Sequence, residues 1–432
     1  MPPLTSSASA AADLRDLLAQ TNPEDFVSLR TEQIGRELAA LSRAVPKRRL
    51  VLFFGRPSFS DNTKYLFLEA LQHTREFDAL WMTTTDALAD ELTQHGLPCM
   101  NFASQPRESV RLMLQASVAV FCENMNSALG GNNLLAGALA GAHKIQLWHG
   151  VSVKHLDLML VPHLDALDQG FRNAVKLATR TEYFLSTSRR LDAVWAQAFG
   201  CAKVVRAGQP RNAVLVRPPT AFEMIGATLP PALNAVMLDP SIKRILVAPT
   251  WQRGKVLFNS SPAFYERLVR WAEREQVVVV VKEHPFRLRK SMPADVPGRL
   301  YYLDEGVDVY PWLTRFDAMI TDYSSIMFDF LLTGKPIFTF DTRTEVAYGF
   351  EPDWSLVPDI PFRYSFDATS FERVLDANFA AHPLRDSQRR MCAELFETDP
   401  ATASEDLMRL VSECNAAATH IDIDVMLPVD LA

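Results

Sequence analysis

Short apolar runs separated by helix-like segments dominate the chain from about residue 50 onward. The runs LVLFF at 50–54, VAVFC at 118–122 and VVVVV at 277–281 contain no polar position that would face water. Unbroken apolar runs of this length are typical of strands that are buried on both faces, as in a parallel sheet. The pattern therefore predicts an α/β protein in which strands alternate with helices.

One stretch shows a complete strand, helix and strand. The runs DAMI at 317–320 and PIFTF at 336–340 predict two parallel strands, and apolar residues recur at helical spacing between them. Ser324 or Ser325 is a good N-cap for this helix, and Gly334 is a good terminator. Serine hydroxyls at a helix start beyond a strand are suited to binding phosphate, although a plain capping role explains them equally well.

Changes in composition along the chain indicate four regions. An amphipathic helical stretch ends near Pro46, and a proline-rich segment separates two series of predicted strands. Two successive Rossmann-like domains facing a cleft form the GT-B arrangement, which we predict here by analogy at the level of the fold. The regions are an N-terminal helical extension (1–45), an acceptor-side domain (46–203), a donor nucleotide-binding domain (204–390) and a C-terminal helix and tail (391–432).

Composition narrows the classes of function. With 432 residues the chain is long enough for two domains, and its net charge of −7 argues against general nucleic-acid binding. The five cysteines contain no CxxC pair, which favours a reducing, cytoplasmic location over a disulfide framework or a zinc site. No signal peptide or membrane-spanning run is present in the sequence, so any contact with a membrane is expected to be peripheral.

Two histidines follow predicted strands. His149 lies near the end of the run KIQLWHG, and His284 follows VVVVVKE, with Lys282 two positions before it. Ligands of parallel sheets collect at the carboxyl ends of the strands, so both histidines are candidate site residues. Taken singly, each histidine is as compatible with a structural role, and it is their joint position that favours function.

The second half of the chain adds further candidates for binding an anion. The loop APTWQRGK at 248–255 carries a hydroxyl, Thr250, and two cations, Arg253 and Lys255. Such a loop can neutralise a diphosphate, or it can be an ordinary surface turn. Asp329 lies one helical turn beyond Ser325 and is placed to fix that serine or a ligand hydroxyl. Asp322 either joins the site or holds the turn that precedes the helix.

An ordered set of motifs resembles one known family. The segments are SFSDNTKYLF (58–67), LWHGVSVKHL (147–156), GQPRNAVL (208–215), VAPTWQRGK (247–255), KEHP (282–285) and ITDYSSIMFDFLLTGKPIFTFD (320–341). In this order they resemble the CDP-glycerol:poly(glycerophosphate) glycerophosphotransferases, which build teichoic-acid and related capsular polymers. The resemblance runs from about residue 55 to residue 341.

The resemblance implies a fold, a reaction and a set of site residues. It implies a GT-B fold and transfer of an alditol phosphate, glycerol phosphate or a similar group, from a CDP-activated donor to a polymer or lipid-linked acceptor at the inner face of the membrane, with release of CMP. His149 matches the proposed catalytic base. The expected donor-binding residues are His284, Ser324, Ser325, Asp322, Asp329, Thr250, Arg253 and Lys282, and the expected acceptor-binding residues are Lys154 and Asn62.

Three alternatives stay open from the sequence. A GT-B glycosyltransferase or a relative of the sugar-nucleotide 2-epimerases has the same architecture, and a scaffold subunit without turnover is a third possibility. Neither a cofactor nor a metal is expected, because the only DxD, at Asp422 and Asp424, lies in the tail and does not follow a buried strand. The sequence leaves open which alditol or sugar is transferred.

Overall fold

A computed structural model describes nine segments of the chain: residues 23–73, 75–131, 133–153, 181–199, 201–252, 255–256, 262–282, 299–340 and 352–418. Three of the candidate residues, Lys154, Arg253 and His284, lie outside these segments, as do Asp422 and Asp424. No helix within the described part of the chain has the length and apolar character that crossing a bilayer requires.

The first half of the protein is built on a seven-stranded sheet that is parallel throughout and has the order β3-β2-β1-β4-β5-β6-β7. All five residues of β1 are buried, because helices cover both faces of the sheet. Its strands are β1 (Leu50–Phe54), β2 (Asp78–Thr83), β3 (Cys99–Asn101), β4 (Val118–Phe121), β5 (His143–Gln146), β6 (Tyr183–Ser186) and β7 (Lys203–Arg206).

Seven helices accompany this sheet within the described residues. The first lies within the predicted N-terminal extension and packs against the sixth, where Ser42 donates a hydrogen bond of 2.6 Å to the Ala138 carbonyl. The helices are α1 (Pro23–Ala44), α2 (Asp61–His73), α3 (Asp86–Gln94), α4 (Pro106–Gln115), α5 (Met125–Ala128), α6 (Asn133–Ala138) and α7 (Arg189–Phe199).

The second half contains a six-stranded parallel sheet with the order β12-β11-β8-β13-β14-β15. A two-stranded antiparallel ribbon, β9 (Trp251–Gln252) with β10 (Lys255–Val256), follows the first of its strands. The sheet strands are β8 (Lys243–Val247), β11 (Val277–Lys282), β12 (Leu300–Leu303), β13 (Ala318–Thr321), β14 (Ile337–Phe340) and β15 (Tyr364–Phe366).

Six helices and two long 3-10 turns complete the described part of the second half. The 3-10 turns are Pro210–Leu215, which links the domains, and Tyr310–Arg315. The helices are α8 (Pro231–Leu238), α9 (Pro262–Arg274), α10 (Ile326–Phe330), α11 (Phe371–Asn378), α12 (Arg385–Leu395) and α13 (Ala403–Ala417).

The last helix returns to the first domain. Leu407 and Val411 of α13 join the core that lies against β1 and β4, and Ser117 donates a hydrogen bond of 2.8 Å to Asn415. The chain therefore crosses between the domains twice, at Pro210–Leu215 and again before α13. Two crossings fix the orientation of the domains more firmly than one linker would.

The predicted α/β pattern is confirmed by both parallel sheets. The strands predicted around residues 317–320 and 336–340 pair in parallel, and Gly334 ends the helical segment between them in the left-handed region with φ of 64°. The pattern did not predict β3, β7 or β15, which are three or four residues long and lie toward the sheet edges. Strand β7 belongs to the first sheet and continues past the predicted domain boundary at residue 203.

Candidate active site

His149 lies in a sharp turn beyond β5. Its neighbours are both in the left-handed region, Trp148 with φ of 54° and Gly150 with φ of 120°. A tryptophan pays a steric cost in this region, so other contacts must hold the turn. Gly150 is required for space as well, because a Cβ there would lie 2.8 Å from Nη2 of Arg211 and 3.4 Å from Cβ of Ser325.

Three side chains hold the backbone of this turn. Gln146 accepts a hydrogen bond of 3.0 Å from the Trp148 amide, and Asn62 Nδ2 donates one of 2.9 Å to the Trp148 carbonyl. Arg211 Nη2 donates a third, of 2.9 Å, to the His149 carbonyl. The turn is therefore built from β5, the start of α2 and the linker between the domains. Asn62, a predicted acceptor-binding residue, contacts this turn through its amide.

The imidazole of His149 lies against the Trp148 ring, with 4.2 Å between the ring centroids. Its Nδ1 is 3.4 Å from the Cys122 carbonyl at the end of β4. A proton on Nδ1 points toward that carbonyl and leaves the lone pair on Nε2, which is the tautomer that a general base needs. The partly exposed ring is thus oriented by a neighbouring strand end.

Arg211 is the centre of a buried cluster that joins the two domains. Only 3% of its side chain is exposed, and Nη1 lies 2.5 Å from Asp61 Oδ1 while Nη2 lies 2.7 Å from Asp329 Oδ2. Its guanidinium also lies over the Tyr310 ring, 4.4 Å from the centroid. Because Asp61 begins α2 and Asp329 belongs to α10, this one cation bridges both domains and the backbone of His149.

Further charged groups surround the start of α2. Arg56 Nε lies 3.2 Å from Asp61 Oδ2. Burial opposes ionisation of Asp61, but Arg211 and Arg56 outweigh it and lower the pKa of that carboxyl. The neighbouring Glu123 is partly buried, and this burial raises its pKa to about 7 because the opposing effect of Arg56 is smaller.

In the second domain, Asp322 organises the turn that carries the two serines. Its carboxylate accepts hydrogen bonds from the Thr250 amide at 2.9 Å and from the Thr250 hydroxyl. The Tyr323 and Ser324 amides donate to it as well, at 2.6 and 3.1 Å. The structure therefore gives Asp322 the turn-holding role that the sequence left open, and it ties Thr250 to the same turn.

The serine hydroxyls do not cap the following helix. Ser325 is the N-cap of α10 but makes no capping hydrogen bond with its side chain. Its Oγ instead lies 3.4 Å from the His149 carbonyl in the other domain. The Tyr323 and Ser324 amides are engaged by Asp322, and the Ser325 hydroxyl is the group of this turn that contacts the first domain.

Two more predicted donor-binding residues have protein partners. Asp329 is fully buried and accepts from Arg211, from Asn212 at 3.1 Å and from Tyr310 at 2.6 Å, so it fixes the linker and not a serine. Lys282 Nζ donates to the Val307 carbonyl at 3.0 Å. Burial lowers the pKa of Lys282 to about 8.

Sequence reasoning did not single out Arg211, Asp61 or Tyr310. Arg211 stands in the motif GQPRNAVL, which contributed only to the family resemblance. The local sequence provides little signal, because Arg211 stands between the polar residues Gln209 and Asn212 and only its burial shows that it needs carboxylate partners. Among the described residues, no group of three or more His, Cys, Asp or Glu side chains is arranged to hold a metal ion.

Comparisons with known proteins agree on one family. The family model of CDP-Glycerol:Poly(glycerophosphate) glycerophosphotransferase matches residues 37–349. The teichoic acid ribitol-phosphate polymerase TarK of Staphylococcus aureus (strain NCTC 8325 / PS 47) is 26% identical over 350 residues, covering 75% of this chain and 61% of the relative. The teichoic acid poly(glycerol phosphate) polymerase of Bacillus subtilis (strain 168) is 23% identical, covering 69% of this chain and 39% of the relative.

Solved structures show the same architecture. The wall teichoic acid polymerase TagF superposes with a TM-score of 0.62 at 18% identity, covering 95% of this chain and 99% of that one. A UDP-N-acetylglucosamine 2-epimerase superposes with a TM-score of 0.52 at 12% identity, covering 88% and 99%. These similarities confirm the GT-B-like fold. The match over residues 37–349 shows that this chain belongs to the CDP-glycerol:poly(glycerophosphate) glycerophosphotransferase family.

Proposed function

We propose that this protein transfers an alditol phosphate from a CDP-activated donor to a hydroxyl of a polymer or lipid-linked acceptor and releases CMP. The observation that carries the proposal is the meeting of two turns, one from each domain. Ser325 Oγ of the second domain lies 3.4 Å from the carbonyl of His149 in the first. This contact between the two turns supports a base and hydroxyl donors that act on one ligand between the domains.

The chemistry of transfer needs both sides of this space. The acceptor oxygen attacks the phosphorus that carries the alditol, His149 takes the hydroxyl proton, and the bond from that phosphorus to the bridging oxygen breaks as CMP leaves. Negative charge grows on the phosphoryl oxygens and on CMP during this step, and the hydroxyls of Ser324 and Ser325 are proposed to stabilise it. His284, Arg253 and Lys282 are proposed to add positive charge on the donor side.

The comparisons support the class of donor without fixing the alditol. The relatives are named as polymerases of glycerol phosphate or of ribitol phosphate, and a variant of TagF has been soaked with CDPG. The chain spans 61% and 39% of the lengths of the two relatives described above. Lys154, the acceptor chain and a peripheral position at the inner face of the membrane are parts of the same proposal.

The decisive experiment measures nucleotide release by the purified chain. CDP-glycerol, CDP-ribitol and a UDP-sugar are compared as donors with a short glycerol-phosphate oligomer as the acceptor. We expect CMP release from a CDP-alditol that depends on the acceptor. Release of UDP from the UDP-sugar with no turnover of either CDP-alditol would replace this proposal with the glycosyltransferase alternative, and no turnover of any donor would favour a scaffold.

Variants assign the roles within this reaction. His149→Ala is expected to lower transfer by about 10² to 10⁴ fold while donor binding stays intact, which is the usual contribution of a general base. His95→Ala is the matched control, because His95 is exposed beyond α3 and far along the chain from the turn. The paired change Ser324→Ala with Ser325→Ala is expected to weaken binding of CDP-glycerol in calorimetry. Wild-type turnover in His149→Ala would remove the assigned base.

Transfer is further expected to proceed in excess chelator, because hydroxyls and cations offset the diphosphate charge in this proposal. Protein freed of metal, as checked by elemental analysis, is assayed for CMP release. Activity that returns only with added divalent metal would instead call for carboxylate ligands in the site.

A further inference from the structure

A small pocket lies directly behind the turn that carries His149. Its walls come from the carboxyl ends of β5 and β6, from α7 and from the residue that precedes the linker 3-10 turn. The space measures about 190 Å³ with its open mouth included, and the interior has room for one water-sized group. The lining residues are Leu147, Trp148, Gly150, Val151, Leu185, Thr187, Trp195 and Gln209.

Three of these residues carry a buried polar atom that has no hydrogen-bond partner among the described residues. The atoms are Trp148 Nε1, Thr187 Oγ1 and Gln209 Oε1, and at most 6% of each residue is exposed. Leaving such a group unpaired costs about 1 to 3 kcal/mol, so three in one small pocket call for an external partner. An apolar pocket with a few polar groups is also the usual form of a ligand subsite.

The chemistry of the three groups selects a neutral hydroxyl. An indole N–H only donates, an amide oxygen only accepts, and a threonine hydroxyl does both. A ligand hydroxyl within reach of all three would accept from Trp148 and donate to Gln209, with Thr187 as a third contact. None of the eight lining residues is charged, so nothing in the wall favours a phosphate over a neutral group.

We propose that this pocket is a subsite for one hydroxyl of an alditol. The choice of an alditol rests on the proposed function, since the walls include Trp148 and Gly150, the two neighbours of His149. The hydroxyl belongs either to the transferred alditol of the donor or to the terminal alditol of the acceptor. In both cases the pocket selects ligands by one hydroxyl group and orients the alditol beside His149.

The test couples a change in the protein to a change in the ligand. The variant Thr187→Val with Gln209→Met removes two polar contacts at nearly constant volume. Thr181→Val is the matched control, because Thr181 Oγ1 is equally buried and unpartnered but lies before β6, at the opposite end of that strand, and does not line the pocket. Circular dichroism and thermal melting first establish that each variant is folded.

The first arm needs no nucleotide and therefore stands even if the proposed reaction fails. Free glycerol and propane-1,2-diol, which lacks one hydroxyl, are compared by saturation-transfer NMR. We expect glycerol to bind at least about fivefold more tightly to the wild type and to Thr181→Val, and we expect this preference to disappear in the double variant. Equal binding of glycerol and propane-1,2-diol by the wild type would overturn the subsite.

The second arm identifies the source of the hydroxyl. Calorimetry compares CDP-glycerol with its analogue lacking the terminal hydroxyl, and a glycerol-phosphate dimer with its deoxy analogue. If the double variant loses the preference for CDP-glycerol over its deoxy analogue, the hydroxyl belongs to the transferred alditol. If it loses the preference for the glycerol-phosphate dimer over its deoxy analogue, the hydroxyl belongs to the acceptor. If every preference survives in the double variant, the pocket holds only a structural water and the proposal is wrong.

Discussion

Two buried clusters of similar composition join the domains, and only one of them reaches the candidate site. Each contains a cation, an aspartate and a tyrosine whose hydroxyl donates to that aspartate. In the first, Tyr310 donates to Asp329 at 2.6 Å beside Arg211. In the second, Tyr65 donates to Asp308 at 2.7 Å, and Lys64 lies 2.7 Å from the same carboxylate.

The cations differ in what else they contact. Lys64, which is fully buried, donates its remaining hydrogen bonds to the Glu223 and Ile225 carbonyls, at 2.7 and 2.8 Å. Arg211 donates to the carbonyl of His149 instead. The guanidinium fork serves three acceptors in different directions, which an ammonium ion cannot do in the same fixed plane. The comparison indicates that the first cluster positions the base while the second stabilises the contact between the domains.

Replacing Arg211 should have the largest combined effect on stability and turnover. Arg211→Gln leaves two carboxylates without their cation and frees the His149 carbonyl, so we expect a loss of about 3 to 5 kcal/mol in unfolding free energy. We also expect kcat to fall by about 10² fold with little change in donor KM, because a small displacement of a base is costly. Denaturant unfolding and steady-state kinetics measure the two effects.

A more conservative variant tests the same prediction if Arg211→Gln does not fold. Arg211→Lys keeps the positive charge between Asp61 and Asp329 but lacks the planar fork that also reaches the His149 carbonyl. The same selective loss of kcat is expected. Wild-type kcat in both folded variants would show that Arg211 does not position His149.

The second cluster should separate stability from turnover. Lys64→Met leaves Asp308 buried without its cation, so we expect a loss of about 3 to 5 kcal/mol in unfolding free energy. The kcat per folded molecule should stay at the wild-type value. The hydrogen bonds of Lys64 go to Asp308 and to the Glu223 and Ile225 carbonyls, which lie outside the His149 turn. A kcat loss comparable to that of the arginine variants would erase the distinction between the clusters.

The stability of the folded protein should also depend on pH through Glu123, which lies near the cluster around Arg211. Burial raises the pKa of its carboxyl from 4.5 to about 7, so the folded protein holds this proton more tightly than the unfolded chain does. Stability contributed by this group is therefore present below pH 4.5 and is lost as pH rises to 7. Glu123→Gln should gain about 2 to 3 kcal/mol over the wild type above pH 7.

Denaturant unfolding of the wild type and of Glu123→Gln at pH 5 and pH 8 measures this difference. Glu76→Gln is a control, because Glu76 lies before β2 and away from the strand ends of the site. A gain that is equal at both pH values would contradict the assignment to the Glu123 proton.

The tyrosines offer the smallest and most closely matched comparison. Tyr310→Phe and Tyr65→Phe each remove one hydroxyl that donates to a buried aspartate, and each should cost about 1 to 2 kcal/mol of unfolding free energy. Only Tyr310→Phe should lower kcat, by a fewfold, because Asp329 also holds Arg211. Equal kcat losses in the two variants would mean that the clusters are not functionally distinct.

Local sequence patterns predicted the sheets but not these clusters. A valine run predicts a buried strand because a strand buried on both faces carries an apolar side chain at every position, as in β11. The short strands β3, β7 and β15 have too few residues for a pattern of apolar and polar positions to be recognised. Asp329 was assigned to Ser325 on helical spacing alone, whereas its partners Arg211 and Asn212 are 118 and 117 positions away.

By itself, the sequence determined the alternation of strands and helices, the place of His149 beyond a strand and the family to which the motifs belong. Only the tertiary structure decided which side chains hold that histidine in place. Arg211 is 150 positions from Asp61 and 62 from His149, and the tight turn at Trp148 is stable because these distant groups converge on it. Local patterns record burial and backbone preference, while contacts between remote side chains exist only once the two domains have packed.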